Sequence, residues 1–185
     1  MGMSDWPGYS IPLGKKFSYQ NTYYHKEPRF DIKEVPPDIQ NTYDFIISSD
    51  VFEHLEPPVS PAFVNLNRLL KPGGVVIFTV PYVPDQEETL EHFPDLNEFT
   101  IQVDEYGKYT LKNITRTGEI QVSDQLVFHG GEGFTLEMRL FSKKSLSREF
   151  ERAGFHKITF YEEPFPGFGI CQEEKWSLPL SARKP

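Results

Sequence analysis

The stretch from residue 43 to residue 82 constrains the fold of this chain more than any other. It begins with an apolar run at 44–49, passes through an acidic loop, and then repeats apolar residues at helical spacing over 59–70. A Lys-Pro-Gly-Gly turn at 71–74 ends that helix, and a second apolar run follows at 75–80. Continuous apolar strands joined by a helix indicate a parallel sheet that is covered on both faces. The pattern therefore predicts an α/β fold.

Polar side chains gather where the first of these strands ends. In open parallel sheets, ligands bind beyond the carboxyl ends of the strands. Here that end carries Ser49, Asp50, Glu53 and His54. Asp50 either approaches a ligand or caps the following turn, and Glu53 either caps the loop or binds a substrate. His54 is a candidate catalytic base because an imidazole titrates near neutral pH, and the alternative is a histidine hydrogen-bonded within its loop.

Composition excludes several function classes. The chain has 185 residues, which suits a single domain with a real core, and its net charge of −8 disfavours nonspecific binding to nucleic acid or anionic membrane. It has neither a basic-then-apolar leader nor an apolar run of about 20 residues, so we expect a cytoplasmic protein. Its one cysteine, Cys171, permits no intrachain disulfide. Cys171 and the five histidines lack metal-ligand spacing, so no metal site is predicted.

The segments on either side of this core follow simple patterns. Residues 7–16 are predicted to form a helix with Ser4 or Asp5 as N-cap, and 17–24 to form a strand. Alternation over 98–129 predicts a β-meander inserted within the single domain 1–185, and inserts after a strand often form lids.

The carboxyl-terminal part returns to an α/β pattern. His129, at the end of the predicted insert, is a second candidate for contact with a substrate, and an ordinary turn is the alternative. Ser142 is predicted to cap a helix near 143–153. Strands are predicted at 156–161 and 176–182, the second antiparallel because no helix precedes it.

Three motifs together resemble a known family. They are DFIISSDVFEHL, RLLKPGGVVIFTVP and FSKKSLSREFERAGF, within residues 43–82 and 140–182. They resemble the carboxyl-terminal half of class I S-adenosylmethionine (SAM)-dependent methyltransferases. The resemblance implies a Rossmann-like, mostly parallel sheet in the order 3-2-1-4-5-7-6 with strand 7 antiparallel. It also implies SAM as cofactor and a small molecule or glycan precursor as methyl acceptor.

The resemblance also implies where the cofactor would bind. The family's first strand ends in a Gly-rich loop, but this chain has neither a G-x-G-x-G motif nor an apolar strand before residue 43. Residues 1–5 look like the end of that strand, as in an N-terminally truncated domain. On that basis the expected cofactor-binding residues come from three short segments: Gly2, Ser4 and Asp5; Asp31 and Ile32; and Ser49, Asp50 and Val51.

Loss of the first strand would leave unpaired backbone groups in mid-sheet. We therefore expect residues 17–24 to pair with 44–49, or a homodimer to form through residues 1–40. SAM binding is expected to be weak or absent in this form. The alternative to an enzyme is a non-catalytic methyltransferase-like scaffold that binds a partner chain.

Overall fold

The computed structural model describes residues 1–129, 135–168, 170–171 and 177–185. The first half of the fold alternates short strands and helices. In chain order it contains β1 (Gly2–Met3), α1 (Pro7–Lys16), β2 (Asn21–Thr22), a 3-10 turn (Pro37–Ile39), β3 (Tyr43–Ser49), a second 3-10 turn (Phe52–His54), α2 (Ser60–Leu69) and β4 (Leu70–Thr79).

The second half begins with small strands and ends by returning to the main sheet. In chain order it contains β5 (Tyr82–Val83), β6 (Leu90–Glu91), β7 (Glu98–Val103), β8 (Tyr109–Ile114), β9 (Ile120–Ser123), β10 (Phe128–His129), β11 (Thr135–Leu136), β12 (Arg139–Ser142), α3 (Lys143–Arg152), β13 (His156–Phe160), a third 3-10 turn (Pro166–Phe168) and β14 (Leu180–Arg183).

A six-stranded sheet organises the domain, in the order β13-β14-β4-β3-β1-β2. β1, β2, β3 and β4 pair in parallel, whereas β14 is antiparallel to both of its neighbours. The predicted Rossmann-like α/β fold is confirmed. The antiparallel last strand, inserted between β13 and β4, matches the order that the resemblance implied.

The core lies between the sheet and helices α2 and α3. Phe63 and Leu66 of α2, Phe78 of β4 and Phe150 of α3 are fully buried, and the phenylalanine rings meet edge-on at 5.1–5.2 Å. Ser142 caps α3 as predicted, because its hydroxyl accepts a hydrogen bond of 3.0 Å from the Ser145 amide. This aromatic packing holds β4 against helices α2 and α3.

The amino-terminal segment differs from two sequence-based expectations. Gly2 and Met3 themselves lie between β2 and β3, pairing with Asn21 and Thr22 on one side and with Ile47 and Ser48 on the other. The expectation that residues 17–24 pair with 44–49 is therefore wrong, since β1 occupies that place. Only Asn21–Thr22 of the predicted strand is extended in the sheet.

The capping expectation for α1 is also wrong. The N-cap residue is Trp6, which supplies no side-chain hydrogen bond to the helix. Pro7 occupies the first helical turn, where its missing N–H costs nothing. The Asp5 carboxylate is hydrogen-bonded to tyrosine hydroxyls instead.

The alternating segment forms a separate antiparallel sheet, β7-β8-β9, spanning residues 98–123. Leu111 of β8 packs with Leu136 and Met138 in a second apolar cluster under this sheet. The last strand begins at Leu180 rather than at 176, and Trp176 lies outside the described residues. Within the described ranges, every helix is too short or too polar to cross a lipid bilayer.

Candidate functional site

The carboxyl ends of β1, β3 and β4 meet at one edge of the sheet. Ser49 and Asp50 follow β3, and the Ser49 hydroxyl lies 2.8 Å from the Thr79 hydroxyl at the end of β4. The Asp50 amide donates to the Thr79 carbonyl at 2.9 Å. Ser4 and Asp50 both adopt left-handed backbone conformations, with φ of 59° and 52°, and both are exposed. These polar groups therefore line the edge where a parallel sheet binds its ligand.

Asp5 faces inward from this edge. Asp5 is 3% exposed, and its carboxylate accepts hydrogen bonds from the Tyr9 hydroxyl at 2.9 Å and from the Tyr19 hydroxyl. Burial raises the pKa of Asp5 to about 6, against the opposing effect of the Tyr9 hydrogen bond. A Cβ at Gly2 would clash with the Asp5 carboxylate and the Tyr19 hydroxyl, so any larger residue here requires those two side chains to move.

Three other predicted cofactor residues have mainly structural contacts. Asp31 accepts a hydrogen bond of 2.8 Å from the Lys33 amide, as in an Asx turn. Ile32 is buried, and its carbonyl accepts from the Asn65 side chain at 2.8 Å. Val51 is half-buried against the core at the start of the second 3-10 turn.

The second 3-10 turn carries Glu53 and His54, and Arg139 of β12 is hydrogen-bonded to its backbone. Arg139 is fully buried, and its Nη1 donates to the Phe52 and Leu55 carbonyls at 2.7 Å each. Its Nε donates to a Glu91 carboxylate oxygen at 2.7 Å. These bonds fix the backbone on both sides of Glu53 and His54.

The two candidate catalytic histidines come together. The rings of His54 and His129 lie 5.0 Å apart, edge to face. His54 Nδ1 donates to the Leu136 carbonyl at 3.0 Å, which leaves Nε2 as a lone-pair nitrogen. His129 Nε2 lies 2.9 Å from one carboxylate oxygen of Glu137, whose other oxygen lies 2.9 Å from His92 Nε2.

Electrostatics in this cluster favour neutral groups. Burial, with Asp50 and Glu137 nearby, raises the pKa of Glu53 to about 9. Burial also lowers the pKa of His54, partly offset by its bond to the Leu136 carbonyl. The charge of Asp50 acts to raise the pKa of both Glu53 and His54, so the cluster lies next to the edge formed by β3 and β4.

Sequence reasoning missed Glu137, His92 and Arg139. Glu137 and Arg139 alternate with Leu136, Met138 and Leu140 in a segment without charge clustering or a turn signal. The one available signal was two opposite charges within an otherwise apolar alternating run, a pattern that suggests buried ionic pairs.

Comparisons with known proteins agree with the fold described above. A family model described as a methyltransferase domain matches residues 14–159. No curated protein sequence matches the chain significantly.

Solved structures share the fold at low sequence identity. A protein from Pyrococcus horikoshii OT3 is 11% identical with a TM-score of 0.54, covering 100% of this chain and 83% of that one. An amino pentose methyltransferase from Micromonospora echinaspora, solved with SAM bound, is 12% identical with a TM-score of 0.54, covering 100% and 82%. The chain covers 57% of a 1,6-didemethyltoxoflavin-N1-methyltransferase from Burkholderia thailandensis, at 14% identity, 97% coverage of this chain and a TM-score of 0.47.

Proposed function

Because this chain belongs to the class I SAM-dependent methyltransferase family, we propose that it transfers a methyl group from SAM to a small molecule or glycan precursor. The observation that carries the proposal is the meeting of two polar groups of residues at one edge of the sheet. One group follows β1 and β3, and the other surrounds His54 and His129.

The cofactor side is assigned to the ends of β1 and β3. Bound SAM supplies an activated methyl group on a sulfonium. Ser4, Ser49 and Asp50 are available to hold it, because they are at least partly exposed and lie at the strand ends. Gly2 lets the backbone approach closely, and Asp5, Asp31, Ile32 and Val51 support the walls of this site.

The acceptor side is assigned to His54 and His129. Methyl transfer needs the acceptor atom aligned with the methyl group, and a hydroxyl acceptor must also lose its proton. His54 Nε2 keeps its lone pair because Nδ1 is committed to the Leu136 carbonyl. His129, held by Glu137, faces the same space and orients the acceptor.

A methyltransferase-like scaffold that binds a partner chain is the second candidate. It is favoured by the internal commitment of Asp5 and Asp31, whose carboxylates are already hydrogen-bonded within the protein. These residues are thereby less free to bind SAM, so the enzyme is expected to bind SAM weakly and the scaffold not at all.

Calorimetric titration of SAM into the purified chain separates the two candidates. We expect one equivalent to bind, with affinity lowered by Asp50→Ala and unchanged by Asp38→Ala, an exposed aspartate in the first 3-10 turn. Incubation with SAM and a panel of hydroxylated and amino-substituted sugars, followed by mass spectrometry, then tests transfer. Absence of SAM binding, with the fold intact by circular dichroism, would favour the scaffold.

A further inference from the structure

Three potential metal ligands converge beside the sheet edge. Glu53 and His54 come from the second 3-10 turn, and His129 comes from β10. One ligand atom from each side chain lies within 4.8 Å of the other two. No metal-ligand spacing is visible along the chain, because His129 follows the other two residues only after the whole meander.

Glu53 is the unusual member of this group. Its side chain is fully buried, and both carboxylate oxygens lack a hydrogen-bond partner among the described residues. Its Oε1 lies 3.6 Å from His54 Nε2, beyond hydrogen-bond distance. A buried carboxyl group without partners is costly, and a cation at this point would satisfy both oxygens.

Each of the two histidines makes a hydrogen bond from one ring nitrogen to a protein oxygen, as metal-ligating histidines usually do. A ligating imidazole usually donates its other ring N–H to a carboxylate or a backbone carbonyl, which fixes the tautomer and the ring orientation. His54 donates from Nδ1 to the Leu136 carbonyl, and His129 donates from Nε2 to Glu137. Each ring therefore keeps one lone-pair nitrogen. That of His54, Nε2, accepts a 3.3 Å hydrogen bond from the Thr135 hydroxyl, which a bound cation would displace.

From these contacts we propose that Glu53, His54 and His129 bind one divalent transition-metal ion, with Zn²⁺ as its representative. Two imidazoles and a carboxylate suit Zn²⁺, whereas Mg²⁺ prefers an all-oxygen octahedral shell. Bonds of about 2.1 Å in a tetrahedral shell place ligand atoms about 3.4 Å apart, close to the 3.6 Å between His54 and Glu53. The ligand atom of His129 lies within 4.8 Å of those of the other two residues.

Three protein ligands leave a coordination position open. On the proposed methyltransferase function, that position takes an oxygen or nitrogen atom of the acceptor. In the metal-loaded protein the His54 lone pair is bound to the cation. The cation, rather than His54 itself, then positions the acceptor. The binding of the metal itself does not depend on that function.

The test is calorimetric titration of ZnCl₂ and MgCl₂ into chelator-stripped, dialysed protein, without SAM or acceptor. We expect one equivalent of Zn²⁺ to bind and Mg²⁺ to bind far more weakly. Glu53→Gln, His54→Gln and His129→Gln should each weaken Zn²⁺ binding at least about tenfold, and Glu137→Ala, which removes the acceptor that holds His129, by about 10–100-fold. His25→Gln is the matched control, since His25 is exposed and remote in sequence from the cluster.

A second readout covers variants that fold poorly. Co²⁺ should give visible absorption bands of a four-coordinate site in the native protein and in His25→Gln, but not in His129→Gln. The proposal is overturned if Zn²⁺ does not bind, if Mg²⁺ binds equally well, or if the three ligand variants retain native affinity. Failure of SAM binding with intact Zn²⁺ binding would overturn the proposed function alone.

Discussion

At the scale of single residues, the environment of each polar side chain decides its role more than its type does. Ser142 behaves as the sequence predicts, because an N-cap depends only on neighbours three residues away. Asp5 does not cap α1 as predicted, because its carboxylate is hydrogen-bonded to Tyr9 and Tyr19, and these contacts depend on tertiary packing. Glu137 was missed for the same reason: its partners His92 and His129 come from separate segments.

His54→Gln should separate the acceptor side from the cofactor side. Losing a group that accepts a proton from the acceptor or orients it should lower kcat by about 10²–10⁴-fold. SAM affinity should stay within about twofold of native, since His54 contacts Leu136 and Thr135 rather than the ends of β1 and β3. Steady-state kinetics and SAM titration measure the two effects, with His25→Gln as control. An unchanged kcat would make His54 purely structural.

Asp5 should make stability depend on pH in a definite direction. Its folded-state pKa of about 6 exceeds the usual 3.8, so the folded protein binds the proton more tightly than the unfolded chain. The contribution is therefore present below about pH 4 and is lost as pH rises through 6, by up to about 3 kcal/mol.

Comparison with Asp5→Asn isolates this contribution from other titrating groups. Urea unfolding at pH 4 and pH 7 should show the variant gaining stability relative to native as pH rises. Asp38→Asn, at an exposed position, should track the native protein at both pH values. Parallel pH profiles for native protein and Asp5→Asn would contradict the assignment.

At the scale of elements, sequence patterns located the long elements and missed those made of two or three residues. Helix α2 and strands β3 and β4 follow from apolar periodicity and the glycine turn, since each element is long enough to show a repeating apolar pattern. β1 and β2 have two residues each, too few for any periodicity, and their pairing depends on the neighbouring β3. The 3-10 turn at 52–54 likewise depends on Arg139, which is 85 or more positions away.

Arg139→Leu should test how firmly that turn is fastened. The change leaves the Phe52 and Leu55 carbonyls without a donor and Glu91 without its cation. Breaking a buried ionic contact of this kind costs about 3–5 kcal/mol, measurable by urea unfolding. Glu91→Gln is the milder matched change, because its amide oxygen still accepts from Arg139 and the side chain is 30% exposed. Equal stability of Arg139→Leu and native protein would disprove this role.

At the scale of the whole molecule, the proposed homodimer through residues 1–40 has a physical basis. Trp6, Ile11, Phe17 and Tyr24 are each more than half exposed, and they lie on or beside α1 and β2, at one end of the central sheet. Exposed apolar groups concentrated in one short segment are typical of interfaces.

We expect light scattering after size-exclusion chromatography to give twice the 21.5 kDa of one chain. Trp6→Glu combined with Ile11→Glu should give the monomer, because charge in an apolar interface disfavours association. Tyr106→Glu alters an apolar residue that is 86% exposed elsewhere, in the meander, and should leave the mass unchanged. A monomeric native chain would exclude the dimer.

The attachment of the 3-10 turn to the strand beyond the meander has a consequence for how such a domain can diversify. The Met138 amide donates to the Glu53 carbonyl at 2.7 Å, and His54 donates to the Leu136 carbonyl. These two bonds join the 3-10 turn directly to residues 136–138, so residues 98–123 lie outside the connection. Extra length in a segment outside such a connection costs only a slowly growing loop entropy. We therefore expect residues 98–123 to tolerate changes of length and sequence while Glu53 and His54 keep their positions.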